Sequence, residues 1–393
     1  VPSTFRDSFP PDDGVSLNQA VVFYISGHGF GHASRQVEII NAFGASNRAP
    51  IVLRTAVSAD LLKRTVRVPY TLEAGPCDTG IIQATSISHD DAATVRAAVE
   101  FYRTYSARVA DEVARLARHD VGLVVGDIPP LAFSTAARLG VPSVAIGNFT
   151  WDWIYETHPG FLPDGQRALA CIREAHSHVS LALELPFSGG FDVFRTVEPL
   201  PLVARRATGG RAETRAFFGL PATAPVALLS FGGYGLPSLD LAAIDCGREW
   251  TIATTDRVTN DTRPLPPYVR VIGEQSFLGS PFRYEDLVAA ADVIVTKPGY
   301  GIIAECVSTG TAMLYTSRGD FREYDVLVSA LPDRVRARYI SQTDLFAGRW
   351  REALEAVRSL PEPSVRMATN GAEVAARRLA DMIERRSAVG NRG

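Results

Sequence analysis

Two glycine-rich stretches carry the side chains best suited to chemistry on a charged ligand. The first, Gly27-His28-Gly29-Phe30-Gly31-His32-Ala33-Ser34-Arg35, sets two histidines and an arginine among three glycines. Imidazole exchanges a proton near neutrality, so either histidine suits acid–base work; a histidine here serves equally as a helix cap. The second, Lys297-Pro298-Gly299-Tyr300-Gly301, follows the apolar run Val293–Thr296 and precedes helical spacing from Ile302. Proline ends a central strand, and the glycines let backbone amides approach a ligand closely. The loop therefore finishes at a helix N-terminus, whose free N–H groups favour an anion such as a phosphate. Glu305 lies about one turn further on, within reach of a ribose. An ordinary strand-to-helix turn uses the same residue types.

Three further positions stand out. Asp127 follows the buried-looking run Val121–Gly126, at the strand end where open α/β sheets bind ligands. It serves equally as a cap for the next helix. Asn148–Tyr155 (NFTWDWIY) is the densest aromatic cluster in the chain. Trp151, Trp153 and Tyr155, with Asp152 among them, suit a sugar with apolar C–H faces and a polar rim. The alternative is a helix that buries its tryptophans. A second strand-plus-glycine opening, Pro225–Ser230 then Phe231-Gly232-Gly233-Tyr234-Gly235, echoes the first.

The elements that must position these residues alternate strand and helix. In the first half, strands are expected at Ala20–Ser26, Pro50–Thr55, Tyr70–Glu73, Val121–Gly126, Ser143–Ile146 and Val179–Glu184. Helices are expected at Ser34–Phe43, Asp90–Arg118, Leu131–Leu139 and Ala168–Ser180. A proline- and glycine-containing linker follows at 199–210. The second half repeats the plan with strands at Pro225–Ser230, Trp250–Ala253, Val269–Ile272, Val293–Thr296 and Met313–Thr316, and closes on helices Gly348–Ser359 and Gly371–Arg386. The fold class is α/β: two Rossmann-like, doubly wound domains facing one another across a cleft. The boundaries are a leader at 1–19, a first domain at 20–200 and a second at 201–371. A C-terminal helix at 372–393 is free to pack back on the first domain. The first loop reads GxGxG, so the dinucleotide fingerprint GxGxxG is not met.

Composition narrows the class. With 393 residues, 46% hydrophobic and 21% charged, the chain is long enough for two ordinary domains. A net charge of −3 gives no basic footprint for nucleic acid. Cysteines at 77, 171, 246 and 306 have no metal-ligand spacing, which points to reduced thiols and a cytoplasmic setting. No apolar run reaches transmembrane length, and no signal pattern opens the chain, which begins at Val1.

The motifs GHGFGHASR (27–35), NFTWDWIY (148–155), SFGG (230–233), KPGYGIIAE (297–305) and SRGDFREY (317–324) are similar to the N-terminal glycosyltransferase-like region of the L-arabinokinases, with DLFAGRW (344–350) and NGAEVAA (370–376) adding to the likeness. The resemblance runs from Ala20 to Ile383 and implies the GT-B fold. More distantly it extends to the peptidoglycan-precursor N-acetylglucosaminyltransferases. L-arabinokinases carry their kinase as a further C-terminal domain with its own phosphate loop. No such loop occurs before Gly393, so arabinose kinase activity is not implied.

The resemblance implies a glycosyltransferase that moves a sugar from a nucleoside-diphosphate sugar, UDP-linked, to an acceptor it does not identify. On that reading Gly29, Gly31 and Arg35 face the phosphates, and Gly232, Gly233, Lys297, Gly299, Tyr300 and Gly301 cradle the diphosphate. Ser276 joins the donor site, Glu305 holds the ribose, and Asp320 and Glu323 stand near the sugar hydroxyls. Trp151, Trp153 and Tyr155 face the acceptor, and the two domains close on the donor. The usual acid-then-glutamine pair is replaced by Asp320-Phe321-Arg322-Glu323. Amides, a helix N-terminus and Lys297 or Arg35 can neutralise the leaving diphosphate. With no DxD motif, no metal and no cofactor are implied. His32, His28, Asp127 and Asp152 are the candidates for the base, His32 first. Two alternatives share this plan: a non-hydrolysing nucleotide-sugar 2-epimerase and a catalytically silent nucleotide-sugar-binding protein.

Overall fold

A computed structural model of the chain describes residues 19–28, 30–158, 160–161, 165–232, 235–236, 238–255, 264–319 and 321–390. Residues 1–18 of the expected leader, Gly29, Gly233 and Asp320 lie outside these residues. The first half contains β1 (Ala20–Ile25), β2 (Ile51–Thr55), β3 (Thr71–Ala74), β4 (Gln83–Thr85), β5 (Ser88–His89), β6 (Val121–Gly126), β7 (Ser143–Phe149), β8 (Leu181–Gly189) and β9 (Val197–Pro199). All but β4 and β5 form a parallel seven-stranded sheet in the order β3-β2-β1-β6-β7-β8-β9. β4 and β5 pair with each other as an antiparallel hairpin. The second half contains β10 (Val226–Ser230), β11 (Thr251–Thr254), β12 (Val269–Val271), β13 (Val293–Thr296), β14 (Ala312–Tyr315) and β15 (Ala337–Tyr339). They form a parallel six-stranded sheet in the order β12-β11-β10-β13-β14-β15.

Central strands such as β1, β6 and β13 are buried along their whole length. That explains their unbroken apolar composition, because helices cover both faces of a parallel sheet. In each sheet the strand order reverses once, between β1 and β6 and between β10 and β13. The crevice outside the carboxyl ends of such strands is where open α/β sheets receive ligands. Both glycine loops and Asp127 therefore fall at these switch points by topology alone.

Two chain crossings join the halves. The outgoing segment donates Leu202 N–H to Ala368 O (3.1 Å), and the returning one donates Gly371 N–H to Leu202 O (3.0 Å). The final helix, Gly371–Gly390, then lies on the first sheet's unit, where Ala375, Leu379 and Ile383 join Val37, Ile40 and Phe43 in one apolar cluster. Gly122 in β6 makes room for this: a Cβ there would sit 2.4 Å from the Ile383 side chain.

Some elements differ from expectation. The single helix expected over Asp90–Arg118 is two, Asp91–Arg103 and Tyr105–Leu116, with Thr104 leaving helical geometry at ψ 18°. The break brings Tyr102 and Tyr105 ring to ring at 5.3 Å. The hairpin β4–β5 and the strand β15 are too short and too polar to show an alternating pattern. The four cysteines are unpaired thiols. Among the described residues no helix is long and apolar enough to cross a membrane.

A buried charge network sets the exit of β3. Glu112 accepts from Tyr24 Oη (2.8 Å) and from Arg54 Nε and Nη2, while Arg54 also donates to the carbonyls of Gly75 and Pro76. Removing the carboxylate strands a buried guanidinium. Glu112→Ala should therefore destabilise the protein by about 3–5 kcal/mol in urea unfolding. A loss below about 1 kcal/mol would show that water replaces the carboxylate.

Candidate functional site

At the switch point of the first sheet, the helix Phe30–Ser46 begins with His32 and Arg35 facing Asp127 at the end of β6. Residues three apart share a helix face, so one turn presents both side chains to one carboxylate. His32 Nδ1 lies 3.0 Å from Asp127 Oδ1, and Arg35 grips the same carboxylate with Nε (2.8 Å) and Nη2. All three are buried, Asp127 completely. Burial alone would raise the Asp127 carboxyl, but the charges and hydrogen bonds of Arg35 and His32 hold it below its ordinary value. An ionised carboxylate only accepts, so the contact calls for a proton on His32 Nδ1, the tautomer that in a neutral ring places the lone pair on Nε2. Arg35 Nη2 also stands 3.0 Å from Nδ1, because both donors converge on Oδ1.

The network continues across the cleft. Arg35 Nη1 donates to Asn148 Oδ1 (2.6 Å), and Asn148 Nδ2 donates to Glu323 Oε1 (2.8 Å). Arg318 Nη1 bridges Glu323 Oε2 (3.3 Å) and the carbonyl of Pro298 (3.2 Å). The Arg35 guanidinium also lies 5.2 Å from the Tyr300 ring centroid, and Tyr300 Oη accepts from the linker's Val203 N–H. Here the two glycine loops meet: a Cβ on Gly301 would lie 3.6 Å from Ser34 Oγ and 3.9 Å from Gly31 Cα.

On the second sheet, the helix Tyr300–Thr309 starts at Gly299 with no side-chain cap, which leaves its first N–H groups available. Gly232, after β10, has φ 72°, a left-handed backbone that suits glycine. Cations gather between β13, β14 and the hairpin. Burial, reinforced by Arg318, lowers the Lys297 ammonium to about 7. Burial, with Arg318 and Lys297, lowers His89 to about 4. Arg318 is itself buried, and its Nε has no hydrogen-bond partner. A cluster of cationic groups held towards neutrality, with one donor unmet, is suited to a polyanion that restores their charge. Among the described residues, no group of three or more His, Cys, Asp or Glu is arranged to hold a metal.

The structure thus brings His32, Asp127, Arg35, Gly31, Gly301, Tyr300 and Glu323 together. His28 sits beside them, with Nε2 3.7 Å from Asp78 Oδ1. Other expected positions fall elsewhere. Asp152 is buried and pairs with His176 (3.3 Å) and Arg173 (3.4 Å) on the helix Gln166–Ser177. Trp151 and Tyr155 are 2% and 1% exposed and stack on each other, with Phe161 on the far face of Tyr155. Neither therefore offers an open ring face, and Trp153 is covered by the Arg322 guanidinium at 4.3 Å. Glu305 is buried with Oε1 taken by the linker's Arg205 and Oε2 unpartnered; burial raises its carboxyl above the ordinary value. Ser276 is exposed on a short turn after β12, beside Phe217 and Phe218. Asn148, Arg318, Asp78 and His89 were not singled out by sequence. The first two lie inside motifs already noted, but nothing in spacing reveals a hydrogen bond between domains.

Two facing parallel sheets, each with a glycine loop at its switch point, define the GT-B fold. Solved structures with this fold that the chain resembles include glycosyltransferases. The kitacinnamycin glycosyltransferase superposes at a TM-score of 0.61 with 18% identity, over 93% of this chain and 98% of that one. Glycosyltransferase VinC, solved with dTDP, gives 0.59 and 15% over 95% and 100%. A UDP-glucosyltransferase from Polygonum tinctorium gives 0.60 and 12% over 94% and 100%. In sequence, the chain is 29% identical to L-arabinokinase of Arabidopsis thaliana over 371 residues, 93% of this chain and 35% of the relative. The chain thus spans about a third of that relative's length. No protein-family model matches it.

Arg35 fills all its roles through a planar fork. Lysine offers a single point charge, so Arg35→Lys should lose bonds to Asp127 or Asn148. A stability loss of about 2–4 kcal/mol in denaturant unfolding is expected. An unchanged midpoint would place the network outside the folding energetics.

Proposed function

We propose that the chain transfers a sugar from a nucleoside-diphosphate sugar to an acceptor hydroxyl. The observation that carries this reading is the His32–Asp127 pair at one switch point, on the loop whose Gly31 and Ser34 approach Gly301 at the uncapped helix start of the other. His32 Nε2 takes the acceptor proton while Asp127 holds the ring's tautomer and the imidazolium that forms. The acceptor oxygen then bonds to the anomeric carbon as the bond to the diphosphate oxygen breaks. The N–H groups at the start of Tyr300–Thr309 and the Lys297 ammonium take up the charge of the leaving diphosphate. This arrangement meets that charge without a divalent metal. A pyrimidine nucleotide is supported by two of the similar structures, one a UDP-glucosyltransferase and one a dTDP complex. UDP-sugars are the first donors to test.

A second reading, a nucleotide-sugar-binding protein without turnover, is favoured by Glu305. Its Oε1 is engaged by Arg205 instead of open to a ribose. Incubation with UDP-sugars and a broad acceptor mixture separates the two. Acceptor-dependent release of UDP supports transfer, and tight binding with no release supports the silent form. For the transferase, His32→Ala should lower turnover by about 10²–10⁴-fold with donor affinity little changed. Near-normal turnover would remove His32 from the chemistry.

Lys297 supplies a pH signature. A bound diphosphate favours the ammonium and raises its pKa, so binding takes up a proton above the free value of about 7. UDP affinity should therefore be highest below that pH and fall by at most about tenfold per unit above it. Calorimetry in buffers of differing ionisation enthalpy measures this directly. Affinity that stays flat from neutral to alkaline pH would exclude Lys297 from the diphosphate.

A further inference from the structure

Beside His32 stands a second carboxylate–imidazole pair that the transfer step does not use. Asp78 follows the loop that Arg54 pins through the carbonyls of Gly75 and Pro76. Its Oδ2 accepts from Trp151 Nε1 (3.0 Å), while Oδ1 is buried with no hydrogen-bond partner. Asp78 is only 4% exposed. His28 Nε2 stands 3.5 Å from the Asp78 backbone carbonyl and 3.7 Å from Oδ1, the latter too long for a hydrogen bond, and the His28 side chain is 34% exposed. The seat for this imidazole is built in: Gly80 has φ 56°, and a Cβ there would lie 2.2 Å from His28 Cγ. Trp151 links the pair to the base, because its ring centroid is 6.1 Å from that of His32.

We infer that His28 and Asp78 form an acceptor subsite for a polyhydroxylated molecule, a sugar or cyclitol, and not for a flat aromatic aglycone. The inference rests on the glycosyl-transfer reading and names its acceptor class. A planar apolar acceptor needs an open ring face or apolar slot, and the stack of Trp151, Tyr155 and Phe161 is closed at 4.3–5.6 Å between centroids. It would also leave Asp78 Oδ1 without a donor in a dry site, the situation by which a polar pocket rejects ligands lacking a hydroxyl. A polyol meets both demands. One hydroxyl donates to Asp78 Oδ1 and contacts His28, and its neighbour on the ring faces His32 Nε2. That second hydroxyl gives its proton to His32 and its oxygen to the anomeric carbon, as the diphosphate oxygen departs with the bonding pair.

Saturation-transfer NMR on the full chain with UDP bound tests this, using D-galactose and myo-inositol against phenol and naphthol as probes. The expected result is transfer to a polyol and none to the phenols. Asp78→Asn keeps the side-chain shape and an oxygen for Trp151, and His28→Gln changes a half-exposed group should the first variant fail to fold. Each should weaken polyol binding by about tenfold or more, with UDP affinity unchanged. Phenol binding without polyol binding, or folded variants that bind polyols as the parent does, would overturn the assignment. Absence of UDP binding by the parent would overturn the transfer reading itself, and this assignment with it.

Discussion

The Arg35–Asp127 pair is the contact on which the cleft depends. Taking a guanidinium and a carboxylate out of water costs several kcal/mol per ion unless every donor and acceptor is met. Here Asp127 accepts from Nε, Nη2 and His32, and the spare Nη1 goes to Asn148. The buried pair is thus satisfied within the first domain, and Asn148 extends it by one bond to Glu323 of the second sheet's unit. The tautomer of His32 and the approach of the domains are fixed by the same set of bonds. Opening the cleft must hydrate Asn148 and Glu323, while the Asp127 end can stay dry.

The two sides of the cleft handle charge differently. On the first, the carboxylate is neutralised internally, so its field is short-ranged. On the second, Lys297 is pushed towards neutrality by burial and by Arg318, as is His89 reaching over from the first half's hairpin, which leaves latent positive charge beside the unmet Arg318 Nε. A polyanion entering there recovers the ammonium it needs. Preorganised donors of this kind stabilise charge that develops on a leaving group without reorganising at the moment of reaction.

Much of this plan was legible in the sequence. Unbroken apolar runs such as VGLVVG and VIVT located the central strands, because strands buried on both faces cannot alternate. Glycine, proline and histidine marked the loops, because their backbone and side-chain chemistry is local. The pairing of His32 with Asp127 was not legible, since 95 residues separate them and only the strand order brings them together. Nor could composition distinguish an exposed tryptophan face from a buried one. Trp151 and Tyr155 stack inside the first domain, and one polar group left unsatisfied beside them is Asp78 Oδ1, at the far end of an indole N–H. Glu305 shows the opposite failure: its position in the helix was clear, but Arg205 reaches it from a linker with no pattern to read.

The path of the last helix has a consequence for how the molecule comes apart. Since Gly371–Gly390 covers the first sheet's unit while following the second in sequence, the first domain is discontinuous, with its two pieces separated by the whole of the other domain. A single cut in the outgoing linker frees neither half. A fragment ending near residue 200 loses the helix that fills the space above Gly122 and bares the apolar cluster of Val37, Ile40 and Phe43. The rest of the chain carries that helix away as an unpartnered amphipathic arm. Synthesis from the ribosome meets the same geometry in time: the first sheet must wait, with part of one face uncovered, until residues 371–390 emerge.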